Sequence, residues 1–119
     1  MNDGIERLPA LLERAGALTD DEVRLLAKHW SAHGVDGPST RRARAASRGV
    51  ANRLAIFLGR KEIWIMAGND AWAASWRDHN GNTASAVRDA AWALTVGDVL
   101  RGPHFERLTA PWRAAGLPL

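Results

Sequence analysis

Between Pro38 and Lys61 the chain carries Arg41, Arg42, Arg44, Arg48, Arg53, Arg60 and Lys61 and not one acidic residue. Wound as a helix, this stretch separates into two faces. Ala43, Ala46, Val50, Leu54 and Phe57 line one side, and Arg41, Arg44 and Arg48 form a line on the other, with Arg42 and Arg53 at its margins. The apolar side is expected to organise a core and the basic side to face solvent, an acidic partner or a phosphate backbone.

The charge is strongly segregated. Residues 1–37 carry a formal −3, residues 38–61 carry +7 and residues 62–119 carry −1, which together make the net +3 of the chain. The basic character therefore belongs to one segment and not to the whole surface. At 119 residues the expectation is a single domain over 1–119, long enough to bury a core without disulfide or metal staples. Cysteine is absent, which excludes disulfides and thiol catalysis and fits a reducing, cytoplasmic setting. The charged N-terminus lacks the apolar core of a secretory signal. The most apolar window, residues 54–76, is interrupted by Arg60, Lys61, Glu62 and Asp70, so no membrane span is expected.

Along the chain, Ile5, Leu8, Leu12 and Ala15 follow helical spacing, and Pro9 suggests a short helix over about Arg7–Ala15 that starts near Leu8. Thr19-Asp20-Asp21-Glu22 is a capping box, and Val23, Leu26, Ala27 and Trp30 continue it as a helix to about His33. Pro38-Ser39-Thr40 opens the basic helix, with Ser39 or Thr40 as cap, and Gly59 is its expected stop. Residues 60–79 read best as a helix, apolar nearly all round and so central; the alternative is a hairpin with strands in residues 54–67. Asn80-Gly81 marks a turn. Asn82 or Thr83 then caps a helix over residues 84–100, with Val87, Ala91 and Leu94 inward and Trp92, Val96 and Val99 widening that face. A last helix is expected from His104 to about Leu108, broken by Pro111, with Trp112 and Leu117 folding back and the end fraying. The fold expected is all-α, a compact bundle of five or six helices, with a short hairpin at 54–67 (α+β) as the alternative.

From Arg88 onward, Ala90-Ala91-Trp92-Ala93-Leu94, Asp98-Val99-Leu100, His104-Phe105, Leu108 and Pro111-Trp112 resemble the C-terminal end of alanine- and tryptophan-rich helical proteins of actinobacteria and their phages. The likeness covers about a quarter of the chain, and it departs from that group at Gly97, where arginine is usual. It implies an all-helical fold and an actinobacterial or phage source, and it brings no activity with it.

Function is thinly encoded. Arg41, Arg42, Arg44, Arg48 and Arg53 are candidates for nucleic-acid or acidic-partner binding. Alternatively they are a solvated face or pair internally with Glu13, Asp20, Asp21 and Glu22. The order helix, turn, basic helix invites comparison with a helix-turn-helix, but the turn is long, and near the helix start only arginines stand, with no Asn or Gln to read bases. Six tryptophans, Trp30, Trp64, Trp72, Trp76, Trp92 and Trp112, are many for one small core, and Trp72 and Trp76 are the candidates for a partner or homo-oligomer interface. His29 and His33 lie four apart, yet no third and fourth ligand follow in a metal-binding pattern, so no metal is expected. There is no P-loop, GxGxxG or nucleophile elbow. The expectation is therefore a non-enzymatic module without cofactor. Its expected partner is another protein, a host or phage factor on the resemblance. A basic nucleic-acid-binding protein using the Arg41–Arg53 helix is the alternative.

Overall fold

A computed structural model describes residues 3–31, 41–100 and 102–119. The expected turn at 34–38, the caps Ser39 and Thr40, and His33 lie outside these residues. Among the described residues there are six helices: α1 (Asp3–Ala15), α2 (Asp20–Ser31), α3 (Arg41–Phe57), α4 (Lys61–Ser75), α5 (Asn82–Thr95) and α6 (Pro103–Ala114). The all-α bundle is thereby established, and the hairpin alternative is not: Leu54–Phe57 close α3, and 61–67 open α4.

The centre of the bundle is α5, which packs against all five other helices. Its sequence explains why. Ala84, Ala86, Ala90, Ala91 and Ala93 are all fully buried, and only small side chains let neighbours approach one helix from every side. Val87, Ala91 and Leu94 point inward as expected, whereas Val99 is exposed. The expectation that the tryptophan-rich segment would be central is corrected here. In α4 the residues Trp64, Ala67, Gly68, Ala71 and Ser75 form one buried stripe, while Ile65 and Met66 face outward. Indoles need room on one side, and a helix carrying two of them, with a third just past its end, cannot be surrounded closely on all sides.

Helix ends follow local chemistry with three departures. The capping box forms as read: the Glu22 backbone N–H donates to Thr19 Oγ1 at 3.1 Å, and the Thr19 N–H donates to Glu22 Oε1 at 2.9 Å. Gly59 ends α3 with φ +70°. Gly81, at φ +69°, precedes α5, but neither Asn82 nor Thr83 supplies the cap. Asp78 does so from the preceding turn, accepting the N–H groups of Asn82 and Thr83 at 2.9 and 3.0 Å. The two interior prolines are the other departures. The first helix begins at Asp3, so Pro9 falls within it, exposed, while Leu8, Leu11 and Ala15 are buried. The last helix runs through Pro111 to Ala114, with Leu108, Pro111 and Trp112 buried. An interior proline costs roughly 3 kcal/mol, about the gain from burying one or two large apolar side chains. The C-terminus does not splay: the Trp112 indole donates to the Pro118 carbonyl at 2.7 Å, and Leu117 is buried.

Candidate functional site

Two clusters of charge and aromatic rings grow from adjacent residues of α5. Asp89 turns into the core and is 0% exposed. Removing a carboxylate from water costs several kcal/mol, so its surroundings have to supply positive charge and donors. They come from α2 and α3. Arg48 Nε stands 3.6 Å from Asp89 Oδ1, and the Trp30 indole N–H donates to Oδ2 at 3.3 Å. Arg44, only 1% exposed, lies over the Trp30 ring at 5.3 Å and donates to the Trp30 carbonyl. Burial pushes the Asp89 carboxyl up to about 6, against the opposing pull of Arg48, the Trp30 hydrogen bond, Arg88 and Arg44. Burial likewise pushes the Arg44 guanidinium down, with Asp89 acting against it.

This overturns the expected orientation of the basic helix. Arg41, Arg44 and Arg48 do not form one exposed line: Arg44 is buried and Arg48 is half-buried on Asp89. The inward stripe of α3 is Arg44, Ser47, Ala51 and Ala55, while Ala46 and Phe57, assigned to the core side, are exposed. The cause is a long-range charge. A buried acid on α5 draws two arginines inward, and Ser47, Ala51 and Ala55 are small enough to let α3 close on its neighbours. Ser47 Oγ also meets His104 Nδ1 at 3.0 Å. Arg41, Arg42 and Arg53 remain at the surface, Arg41 with its guanidinium 5.9 Å from the Trp30 ring centre. Two of the acids expected to pair with this helix have nearer partners, Glu22 with Arg14 and Asp21 with Arg24.

The second cluster opens outward. Trp64 and Trp92 stack with centroids 4.7 Å apart and planes within 2°, and the Trp92 indole donates to the Trp64 carbonyl at 3.1 Å. Gly68 makes this approach possible, since a Cβ there would lie 2.6 Å from Trp92 Nε1. Arg88 lies with its guanidinium carbon 4.8 Å from the Trp92 ring centre and 4.9 Å from that of Trp72. Trp76 follows Trp72 at 5.0 Å. Between α4 and α5, Trp64, Trp72 and Trp92, with Ile65, Asn69 and Arg88, border a groove of about 380 Å³. Of the two tryptophans proposed for an interface, Trp76 is 49% exposed and Trp72 is half-buried beneath Arg88.

No protein-family model, curated protein or solved structure is significantly similar to this chain. Its chemistry has to be argued from the geometry alone. Among the described residues no three His, Asp or Glu side chains gather as metal ligands would. No helix among them is long and apolar enough to cross a membrane.

Two parts of the surface were missed in the sequence. Arg88 carries no obvious motif, although its spacing from Trp92, four residues on, puts the two on one face of a helix. The other part is apolar. Ile56, Phe57, Leu58, Ile65 and Met66 are exposed, Phe57 at 85%. They surround the tight link from α3 to α4. That link is held by Arg60, which donates to both Asp98 carboxylate oxygens at 2.7 and 3.0 Å and to the Thr95 carbonyl at 3.2 Å. The pairing raises the Arg60 pKa and lowers that of Asp98.

Proposed function

We propose that this chain is a non-enzymatic protein-binding module that docks through the outer face of α4 and the adjoining end of α3. The observation carrying this reading is Phe57. It is 85% exposed at the end of a helix, with Ile56 and Leu58 beside it, Ile65 and Met66 exposed on the next helix and Trp76 exposed just after it. Ile65, Met66, Asn69 and Ala73 fall on one side of α4 by helical spacing, and Trp76 follows just past its end. Large apolar and aromatic side chains on a surface, bordered by polar ones, are the usual composition of an interface centre. A rigid Arg60–Asp98 bracket beneath the link supports the same reading, because a preformed surface loses less entropy on binding.

The nucleic-acid reading keeps a narrower basis, the exposed Arg41, Arg42 and Arg53. The two readings separate in one experiment. A partner captured from a cell extract is purified, and its affinity is measured with Phe57→Ser, Trp76→Ser and the triple variant Arg41/Arg42/Arg53→Ala. The docking reading expects both single substitutions to weaken binding and the triple variant to bind normally. Binding to nucleic acid that falls steeply with salt and is lost only in the triple variant contradicts it. Self-association abolished by Phe57→Ser, seen in sedimentation, identifies the partner as a second copy.

A further inference from the structure

We propose that the groove between α4 and α5 is a carboxylate-binding site, in which Arg88, set against Trp72 and Trp92, receives a single Glu or Asp side chain from an otherwise apolar segment of a partner protein. The inference deepens the docking reading and rests on it.

Among the described residues Arg88 has no hydrogen-bond acceptor and no close ion pair. Its buried Nε lacks a partner, as do those of Arg48 and Arg107, but Arg88 alone of the three stands over two indole rings at a groove. The neighbouring Asp89 attracts it but accepts none of its N–H groups: adjacent residues of a helix point about 100° apart, and Asp89 is turned toward Arg48 and Trp30. Burial depresses the Arg88 pKa, against the pull of Asp89 and with Arg48 adding to the fall. An incoming anion would relieve that cost.

The surroundings also select the form of the anion. A guanidinium set against two rings keeps its in-plane N–H groups for recognition, and these match the two oxygens of a carboxylate. Asn69 adds an amide at the groove wall, and Gly68 lets the Trp92 ring close in beneath it. The rings themselves are engaged. Trp64 stacks on Trp92, while Trp72 meets Arg88 and Trp76. Stacking of successive bases, by which single strands are held, is therefore pre-empted. Glu62 and Asp70 are exposed on the same helix and repel a polyphosphate more strongly than one carboxylate. Exposed Ile65, Met66 and Trp76 beside the groove suit apolar neighbours of that carboxylate.

The test is a titration of the full chain followed by ¹⁵N–¹H NMR at the Arg88 Nε–H and the Trp72 and Trp92 indole N–H groups. The probes are the blocked peptide Leu-Glu-Leu, its Leu-Gln-Leu counterpart and inorganic phosphate. The Glu peptide is expected to shift all three resonances saturably at millimolar concentration, and the Gln peptide is not. Arg88→Lys, which keeps the charge and loses the planar fork, is expected to weaken the response by about tenfold. Arg88→Met is expected to abolish it. Should Arg88→Met fail to fold, the Lys variant and the Glu–Gln comparison still decide. No saturable shift with the Glu peptide, an equal response to the Gln peptide, or tighter binding of phosphate overturns the proposal. Partner affinity unchanged by Arg88→Lys overturns it while leaving the docking reading intact. A Glu-peptide response lost in Arg88→Met, together with partner affinity unchanged by Phe57→Ser and Trp76→Ser, overturns the docking reading while leaving Arg88 as the carboxylate site.

Discussion

Arg88 and Asp89 are neighbours on α5 and meet opposite ends. Asp89 is enclosed by Trp30, Arg44 and Arg48, so its charge is answered within the fold by ion pairing and the Trp30 hydrogen bond, although its Oδ1 and the Arg48 Nε stand too far apart to hydrogen-bond. Arg88 is set against two indoles, with donors that no described residue accepts. The first cluster is closed and the second is open. The comparison teaches that density of charge along a chain does not mark a binding surface. The most basic segment sends two of its arginines inward to one acid, while a lone arginine elsewhere is left facing a groove.

The largest effect should come from breaking the closed cluster. Asp89→Ala leaves buried arginine charge unanswered and is expected to cost about 3–5 kcal/mol in urea unfolding. Asp89→Asn should cost less, because it keeps an acceptor for the Trp30 indole.

Next comes pH. Asp89 holds its proton more tightly in the folded chain, so its contribution is complete below the ordinary aspartate range and is lost as pH rises through about 6. The change is of the order of 3 kcal/mol at most. Glu22 and Asp98 act in the opposite direction. The Thr19 N–H and the Arg60 guanidinium hold their pKa values down, so their contributions are present at neutral pH and are lost on acidification. Stability measured from about pH 3 to 8 should therefore peak between these limits, and in Asp89→Asn the decline toward neutral pH should disappear.

The open cluster predicts smaller changes in stability and larger ones in binding. Gly68→Ala drives a methyl against the Trp92 ring and is expected to cost about 1–3 kcal/mol, with a change in indole fluorescence as the stack shifts. Arg88→Met exchanges two cation–π contacts for relief of a half-buried charge, and its melting curve should move by no more than about 1 kcal/mol equivalent. Smallest of all, Arg42→Ala and Arg53→Ala, both at the surface, should stay within about 0.5 kcal/mol of the parent.

How far the sequence was readable depends on the range of the force involved. The Thr19–Glu22 box, the Gly59 stop, the Asn80-Gly81 turn and the inward face of Val87, Ala91 and Leu94 are local or periodic, and all are present. The facing of α3 was not readable, because the acid that turns it lies on α5, and a pattern of apolar and charged residues assigns every arginine to water. Phe57 misled for the same reason: it is apolar, but it stands at the last position of a helix whose inward stripe runs through Ala51 and Ala55. The tryptophans of α4 suggested a centre, whereas close approach from five sides requires the alanines of α5. Of the candidate site residues, Arg41, Arg42, Arg53 and Trp76 are at the surface, Trp72 is half-buried in the groove wall, and Arg44 and Arg48 belong to the interior cluster. Arg88 was missed because its significance comes from Trp72 on another helix.

The inward pairing of α3 with α5 is tested most directly by a double-mutant cycle on Arg48→Met and Asp89→Asn, measured by urea unfolding at neutral pH. The pairing predicts a coupling of about 1–3 kcal/mol, with the double variant more stable than the sum of its parts implies. Additivity within about 0.5 kcal/mol would contradict it, and would return Arg48 to the outer surface where a charge-only reading of the helix puts it.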